Sequence, residues 1–273
     1  MRELDQETAE VYQFWNEASC GETLYLKGDT AAAWEHQANE RYRLEPFIES
    51  FADFDAASGK QVLEVGVGLG ADHQRFAEAG ALLHGIDLTD RAVENTRVRF
   101  KLYGLETCVA QGNAEYLEFE NEQFDIYYSW GVLHHSPNTE KAIAEAFRVL
   151  KPGGIAKIMI YHKWSIVGAM LWFRYALMRG KPWISLSDIY ANYLESPGTK
   201  AFSRKDALQL MSSFETVTLE TPLGHGDLLE SEAGQRHKGA LLSIARKIWP
   251  RWLIKRVLRG NGLFMLIQAT KPL

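Results

Sequence analysis

Short apolar runs and amphipathic stretches alternate through the middle of the chain. The apolar runs, rich in β-branched and aromatic residues, cover residues 61–66, 81–87, 106–110, 124–130 and 155–161. The stretches between them, at 72–79, 91–103 and 139–150, repeat their apolar residues at helical spacing. This alternation of strands and helices predicts an α/β fold, with a doubly wound, mostly parallel sheet and helices on both faces.

Both ends of the chain extend this core. Strand-like runs at 214–220 and 262–270 bring the predicted sheet to seven strands, and we expect the last strand to be antiparallel. The chain then reads as a single domain, residues 1–273. Its expected parts are a helical N-terminal cover (1–59), a core (60–161), a cap insertion (162–200) and a C-terminal half of the sheet (201–273) with a basic insertion (223–260).

Two local signals mark element boundaries in this pattern. Ser203 and Asp206 have the spacing of a capping box and predict the start of a helix. Pro152, Gly153 and Gly154 predict a turn that ends one helix and precedes the fifth strand.

Composition excludes several classes of protein. Hydrophobic residues make up 46% and charged residues 24% of the 273 positions, an ordinary globular composition. Two cysteines are too few for a disulfide framework, and the acidic N-terminus lacks the pattern of a secretory signal. We therefore expect a cytoplasmic protein.

Charge is divided unevenly along the chain. Residues 1–160 carry 14 basic and 27 acidic residues, a net charge of −13, whereas residues 161–273 carry 16 and 8, a net charge of +8. The segment 235–259 mixes Lys and Arg with Trp, Ile and Leu, which is typical of a helix that lies on an anionic membrane. Two alternatives explain the same composition: the segment docks a partner, or it covers the edge of the predicted sheet.

A glycine-rich turn follows the first strand and carries the chemical signal. Gly66, Gly68 and Gly70 let the backbone approach a ligand closely, at the carboxyl end of a parallel strand. Asp87 ends the next strand, where its carboxylate suits the two hydroxyls of a ribose. The glycine spacing differs from that of dinucleotide-binding turns, and no Lys or Arg cluster stands near it to meet phosphates. A nucleoside without phosphates fits best, and Glu64 just before the turn suits an amino group.

These motifs, with residues 112–115 and 124–135, resemble the class I, Rossmann-like S-adenosylmethionine-dependent methyltransferases. The resemblance covers residues 55–161 and is nearest to the branch that modifies small molecules, lipids and quinones. It implies S-adenosylmethionine as cofactor, S-adenosylhomocysteine as product, and a set of cofactor-binding residues. These are Glu64, Gly66, Gly68, Gly70, Asp87, Leu88, Asn113, Ala114, Trp130 and Gly131. Most relatives have Asp at position 113, so the Asn here contributes no charge.

The substrate side offers few candidate catalytic groups. His134 and His135 follow the fourth strand, where substrate meets cofactor. In the similar phosphoethanolamine methyltransferases, a His in the place of His134 works with a Tyr from the N-terminal cover. Tyr25 and Tyr12 are the candidates for that role here. A His hydrogen-bonded within a loop is the alternative for each histidine. The aromatic residues of the cap predict an apolar or aromatic substrate.

Several functions remain as alternatives at this point. A nicotinamide-dependent dehydrogenase is disfavoured by the glycine spacing. A nucleic-acid or protein methyltransferase, or a non-catalytic S-adenosylmethionine-binding module, stays open, although no nucleic-acid partner is expected. No His, Asp or Glu residues are spaced as metal ligands along the sequence, so no metal site is predicted. The sequence leaves the oligomeric state open.

Overall fold

The structure is a computed structural model that describes residues 5–230 and 246–273. The strands are β1 (Gln61–Val65), β2 (Leu82–Asp87), β3 (Cys108–Gln111), β4 (Phe124–Trp130), β5 (Leu150–Tyr161), β6 (Thr216–Glu220) and β7 (Phe264–Thr270). The helices before β5 are α1 (Gln6–Glu17), α2 (Glu22–Tyr25), α3 (Ala31–Leu44), α4 (Phe47–Ala52), α5 (Ala71–Glu78), α6 (Asp90–Leu102) and α7 (Thr139–Val149). Those after β5 are α8 (Ile166–Tyr175), α9 (Leu186–Tyr193), α10 (Arg204–Leu210) and α11 (Arg251–Val257).

The strands form one sheet, and the predicted fold class is confirmed. Within the described part of the chain, the sheet has seven strands in the order β3-β2-β1-β4-β5-β7-β6. β7 runs antiparallel to β5 and β6, whereas the pairs among β1 to β5 are parallel. The chain reverses direction in the sheet between β3 and β4, so the carboxyl ends of β1, β2 and β4 open on one crevice.

Helices cover both faces of the sheet. On one face, Leu63 and Tyr127 of the sheet pack in one core with Ile143 of α7. On the other face, Val62 and Tyr128 pack in a second core with residues of α4, α5 and the cap helices α8 and α9. Alternate residues of β1 and β4 therefore face opposite cores, as expected of a sheet buried on both sides.

Side-chain caps explain where several helices begin. Thr89 caps α6, Asn138 caps α7, and Ser185 caps α9, each by accepting a hydrogen bond from a backbone N–H of the first turn. The capping box expected from Ser203 and Asp206 is present at the start of α10. None of the described helices combines the length and apolar content that crossing a membrane requires.

The turn predicted at residues 152–154 is the main error in the strand boundaries. β5 begins at Leu150 and passes through this segment, and its register against β4 shifts between Phe124 and Ile126. Gly153 has a φ of +73°, and its N–H donates to the carbonyl of Lys271 near the chain end. The glycines thus build a bulge within a strand rather than a break before it.

Candidate functional site

One large cavity, of about 920 Å³, lies at the carboxyl ends of β1, β2 and β4. Its walls come from the glycine turn, the N-terminal helices α1 to α3, the cap helix α8 and the segment around residues 224–229. Most of the lining side chains are apolar. The cavity is therefore a largely apolar pocket with a few polar groups, the usual form of a small-molecule site.

The glycine turn forms the floor of this cavity. Gly66, Gly68 and Gly70 have φ values of +88°, +55° and +71°, a region that favours glycine. A Cβ on Gly66 would overlap the side chain of Val132, so the loop after β4 closes directly over the turn. Gly66 and Gly68 line the cavity, whereas Gly70 starts α5 and packs against Thr96.

Asp87 is tied to the glycine turn by its carboxylate. One oxygen accepts the N–H of Gly68 at 3.1 Å, and the other accepts the N–H and hydroxyl of Thr89 at 2.9 and 2.8 Å. Burial raises the pKa of Asp87, while these donors act in the opposite direction. Asp87 and Leu88 both line the cavity, so the carboxylate stands beside the turn as the sequence predicts.

The loop after β3 supplies the next wall. Asn113 and Ala114 line the cavity. The side-chain oxygen of Asn113 accepts the N–H of Glu115 at 2.8 Å, so this acceptor already serves a local turn. The Glu115 carboxylate in turn accepts the N–H of Asn138 at 2.7 Å, which links this loop to the start of α7.

Glu64 lies under the turn and contacts a buried histidine. Its carboxylate is 2.9 Å from Nδ1 of His73, whose Nε2 contacts the Thr107 hydroxyl at 2.9 Å. Burial raises the pKa of Glu64 well above its usual value and lowers the pKa of His73 to about 3. The histidine is therefore a neutral ring hydrogen-bonded to Glu64, which also lines the cavity.

A polar network that the sequence analysis missed surrounds Arg41 of α3. The Arg41 guanidinium donates to Asp72 at 2.6 and 3.1 Å and lies 3.6 Å from the Glu45 carboxylate. Glu45 also accepts the indole N–H of Trp130 at 3.0 Å. Burial favours a neutral acid, yet Arg41 and its hydrogen bonds hold the pKa of Asp72 below the usual value. No sequence signal joined these positions, since α3 meets β4 only in the fold.

The N-terminal cover closes the cavity from above. Trp15 of α1 packs edge-on against His135, with ring centroids 5.2 Å apart. Tyr25 lines the cavity, whereas the Tyr12 hydroxyl donates to Asp90 at 2.8 Å on an exposed surface. Cys20 is a free cysteine that lines the same cavity. Burial among the surrounding residues, with the negative charges of Glu195 and Glu45, raises the pKa of its thiol to about 12.

The two predicted histidines occupy different environments. His135 lines the cavity, and its Nε2 lies 3.3 Å from the carboxylate of Glu195, which also accepts the Tyr161 hydroxyl at 2.7 Å. His134 is fully buried outside the lining, and its ring lies 3.8 Å from that of Tyr161 and 4.2 Å from that of His135, centroid to centroid. Burial, with the neighbouring His135 and Lys200, holds the pKa of His134 well below its usual value.

The fold brings a third ligand-type group to this histidine pair. Glu195, in the loop after α9, lies 60 positions from His135 in the chain, so spacing along the sequence did not reveal it. One potential ligand atom from each of His134, His135 and Glu195 lies within 4.8 Å of the others. The spacing argument against a metal site is therefore incomplete.

Part of the aromatic cap reaches the cavity. Met170, Phe173 and Met178 line it, whereas Trp164 and Trp183 are 62% and 76% exposed on the outer surface. Trp130 and Gly131 line the cavity beside the glycine turn, as expected.

Comparison with known proteins agrees with this geometry. Residues 63–158 match the family model described as a methyltransferase domain. The chain is 31% identical to phosphoethanolamine N-methyltransferase 2 of Caenorhabditis elegans over 42% of its own length and 26% of that protein. It is 27% identical to the ubiquinone biosynthesis O-methyltransferase of Azoarcus over 67% of its own length and 81% of that protein. The chain spans only about a quarter of the nematode protein.

A solved structure extends the similarity to nearly the whole chain. The phosphoethanolamine N-methyltransferase 2 of Haemonchus contortus, in complex with S-adenosylhomocysteine, covers 96% of this chain. This chain covers 60% of that one, with a TM-score of 0.61 and 17% identity, a likeness of fold. Residues 63–158, which include the glycine turn and Asp87, thus match a methyltransferase domain within a fold of the class I type. The cofactor of this class is S-adenosylmethionine.

Proposed function

We propose that this protein transfers the methyl group of S-adenosylmethionine to an O, N or C nucleophile of a small apolar or aromatic molecule. The observation that carries the proposal is one continuous cavity that joins the glycine turn to apolar side chains of the cover and cap. In-line methyl transfer needs alignment of nucleophile, methyl carbon and sulfur in a space that excludes water. A deep, largely apolar cavity suits both needs.

The lining suggests how the cofactor binds. The backbone of Gly66, Gly68 and Gly70 would pass under its methionine and ribose, and Asp87 would accept the ribose hydroxyls. Leu88, Asn113 and Ala114 would surround the adenine, and Glu64 and Arg41 would meet the amino and carboxylate groups. Trp130 and Gly131 would flank the sulfonium, whose positive charge favours an aromatic face. This set is the cofactor site that the sequence proposes, with Arg41 added from the cavity lining.

His135 is the better placed of the two predicted histidines to contact a nucleophile. It reaches the cavity, where Glu195 and Tyr161 contact its ring and Trp15 packs edge-on against it. His134 lies behind it and would act on the reaction by packing against His135 and Tyr161. The nematode and Azoarcus relatives carry names for N- and O-methylation, so the atom methylated follows from the substrate rather than from this fold.

A membrane is the proposed source of an apolar substrate. Three residues of the cavity lining are also exposed and mark its mouth: Phe173, Met178 and Leu258. Trp183 of the cap and Trp252 of α11 are also exposed, and the Arg256 guanidinium lies 5.5 Å from the Trp252 ring. The basic segment predicted at 235–259 is described from residue 246 onward, and its earlier part lies outside the described residues. Peripheral binding there would place the mouth at the lipid surface.

The cofactor assignment is tested by calorimetry with S-adenosylhomocysteine. Asp87→Asn should weaken binding at least tenfold because it removes the charged acceptor of two hydroxyls. Asp55→Asn, an exposed acid far from the cavity, is the matched control. Unchanged affinity in Asp87→Asn would remove the ribose assignment.

The reaction is tested with methyl-labelled S-adenosylmethionine and a total cell extract. Label in the organic phase supports an apolar substrate, and label confined to the aqueous or precipitable fractions contradicts it. His135→Asn should lower turnover of the labelled product while cofactor affinity stays unchanged.

A further inference from the structure

The cluster of His134, His135 and Glu195 has the composition and spacing of a metal site. The two histidines come from the loop after β4, and Glu195 comes from the loop after α9, so the site joins the core to the cap. His134 and His135 are 0% and 6% exposed, and the Glu195 side chain is 24% exposed. The cluster is therefore shielded from bulk solvent, and a ligand in the cavity can reach it from one side.

The hydrogen bonds of His135 orient its free nitrogen toward Glu195. Nδ1 of His135 lies 3.1 Å from the Thr199 hydroxyl, which donates to the carbonyl of Ser196 at 2.7 Å, and 2.8 Å from the Ser196 hydroxyl, which can accept as well as donate. In the neutral tautomer with its proton on Nδ1, this nitrogen donates to these hydroxyls, and Nε2 presents a lone pair to the Glu195 carboxylate at 3.3 Å. Two acceptors face each other at that distance, and a cation between them would satisfy both.

The distance itself fits an ion. Two ligands about 2.0–2.1 Å from a tetrahedral zinc ion lie about 3.3 Å apart. His135 Nε2 and the Glu195 oxygen are separated by 3.3 Å. The hydroxyls of Ser196 and Thr199 on Nδ1, and of Tyr161 on the carboxylate, supply the outer hydrogen bonds that metal ligands usually make.

His134 adds an independent observation. Among the described residues, neither nitrogen of its ring has a hydrogen-bond partner, although the side chain is fully buried. A buried imidazole without any partner is costly, because its polar atoms lose their water. One of these nitrogens is the third atom of the cluster, so an ion there would give it a partner.

We propose that His134, His135 and Glu195 bind a divalent transition metal ion of the Zn²⁺ class, with a fourth position open to the cavity. Two neutral imidazoles and one carboxylate form a donor set that suits zinc and its neighbours rather than Mg²⁺ or Ca²⁺. If the proposed methyl transfer is correct, the open position faces the substrate and would hold an oxygen or nitrogen of it. The binding of the ion does not depend on that function.

The test uses the full chain, freed of metal by a chelator and measured without S-adenosylmethionine. Zn²⁺ affinity is obtained by competition with a chromophoric chelator, and Co²⁺ is added to follow its visible absorption. We expect one ion per chain and the intense absorption of four-coordinate Co²⁺. Glu195→Gln and His135→Gln should each weaken Zn²⁺ binding at least tenfold. His225→Gln, a second histidine of the cavity lining, is the matched control and should bind normally.

A second variant pair separates ligation from folding. Ser196→Ala and Thr199→Val leave all three ligands in place and remove only the hydroxyls on His135, so affinity should fall about 10- to 100-fold. Equal Zn²⁺ affinity in the wild-type protein and all these variants would overturn the metal site. So would a wild-type protein that binds no Zn²⁺ ion. Calorimetry with S-adenosylhomocysteine on the metal-free protein reports the cofactor site separately, so the two proposals can fail independently.

Discussion

Gly66 shows how much of the cofactor site depends on a single missing side chain. Its φ of +88° and the closeness of Val132 are both incompatible with a Cβ. The pattern of glycines after a buried strand predicted this turn correctly, because the spacing alone signals close backbone approach. It could not predict that Val132, 66 positions later, is the group that takes up the space.

Gly66→Ala should therefore destabilise the protein and weaken S-adenosylhomocysteine binding. We expect about 1 kcal/mol for the positive φ and about 1–3 kcal/mol more for the overlap with Val132. Gly104→Ala is the matched control, since it has a φ of +64° with open space around it. Urea unfolding and calorimetry measure the two effects, and equal losses in both variants would contradict the role of Val132.

Asp227 carries an unusual carboxyl group beside the cavity. It is 1% exposed, one oxygen accepts the N–H groups of Gly224 and Leu263, and the other has no partner among the described residues. Burial raises the pKa of Asp227 to about 6. No pattern in the sequence indicates this, because Asp227 belongs to a segment that was predicted only as an insertion.

The stability of the protein should depend on pH through Asp227. A folded-state pKa above the unfolded value means that the folded state binds more protons between about pH 4 and pH 6. Stability therefore falls as the pH rises through that window, by up to about 3 kcal/mol. Asp227→Asn should remove this fall, as measured by urea unfolding at pH 4 and pH 7, with Asp55→Asn as the control for loss of one charge. The assignment would be contradicted if the free energy of unfolding changed with pH no more in the wild-type protein than in Asp227→Asn.

At the scale of elements, α3 and α6 meet through a buried arginine. Arg99 of α6 is 1% exposed and donates to the carbonyl of Leu69 in the glycine turn at 2.7 Å and to the carbonyl of Trp34 at 3.2 Å. It also donates to the side chains of Gln37 and Gln74. Burial lowers the pKa of Arg99 to about 10, so the guanidinium remains charged at neutral pH. The helical pattern predicted α6. It could not predict that Arg99 is buried, because an arginine in an amphipathic helix usually faces solvent.

Arg99→Met should destabilise the protein by about 3 kcal/mol, because it leaves several buried carbonyl oxygens without donors. Arg97→Met on the same helix is the control, and we expect a smaller loss, because this exposed side chain donates only to the carbonyl of Val109 at 3.1 Å. The difference in the midpoint of urea unfolding measures this effect. Similar midpoints for the two variants would show that water replaces the guanidinium.

Element boundaries could be predicted where neighbouring residues in the chain determine them. The predictions failed where contacts with distant residues determine the boundary. The capping box at Ser203 and the apolar run of β4 needed only neighbours in the chain. The bulge in β5 depends on Lys271 of the chain end, and the position of Glu195 depends on how α9 packs on α8. Neither contact leaves a periodic signal in the sequence.

At the scale of the whole molecule, the cavity mouth and the exposed apolar residues share one side. α11 packs on α8 through Ile254 and Ile166, which joins the basic helix to the cap. Trp252 and Leu253 are 70% and 50% exposed on α11. The sequence predicted the sheet and the cofactor end of the cavity from their motifs. It could not predict this shared side, because cap and insertion follow no common pattern.

Leu253→Ala should reduce binding of the protein to vesicles that contain anionic lipid, and Trp252→Ala should reduce it further, because each removes apolar surface from the side proposed to meet the membrane. Leu82→Ala is the matched control, since Leu82 is 53% exposed at the amino end of β2, away from the mouth. Flotation on anionic and zwitterionic vesicles measures the bound fraction. Equal binding by Leu253→Ala and Leu82→Ala would exclude this face as the contact.

The first two helices of the N-terminal cover, α1 and α2, contact the first turn of α6 through polar side chains. Arg91 pairs with Glu22 at 2.6 Å, its N–H donates to Asn16, and Asp90 accepts the Tyr12 hydroxyl. Exposed ion pairs of this kind are weak and are screened by salt. We therefore expect salt to weaken the contact of α1 and α2 with the core. We expect ligand entry and exit to speed up together as ionic strength rises, as followed by the fluorescence of Trp15, while the equilibrium affinity changes little.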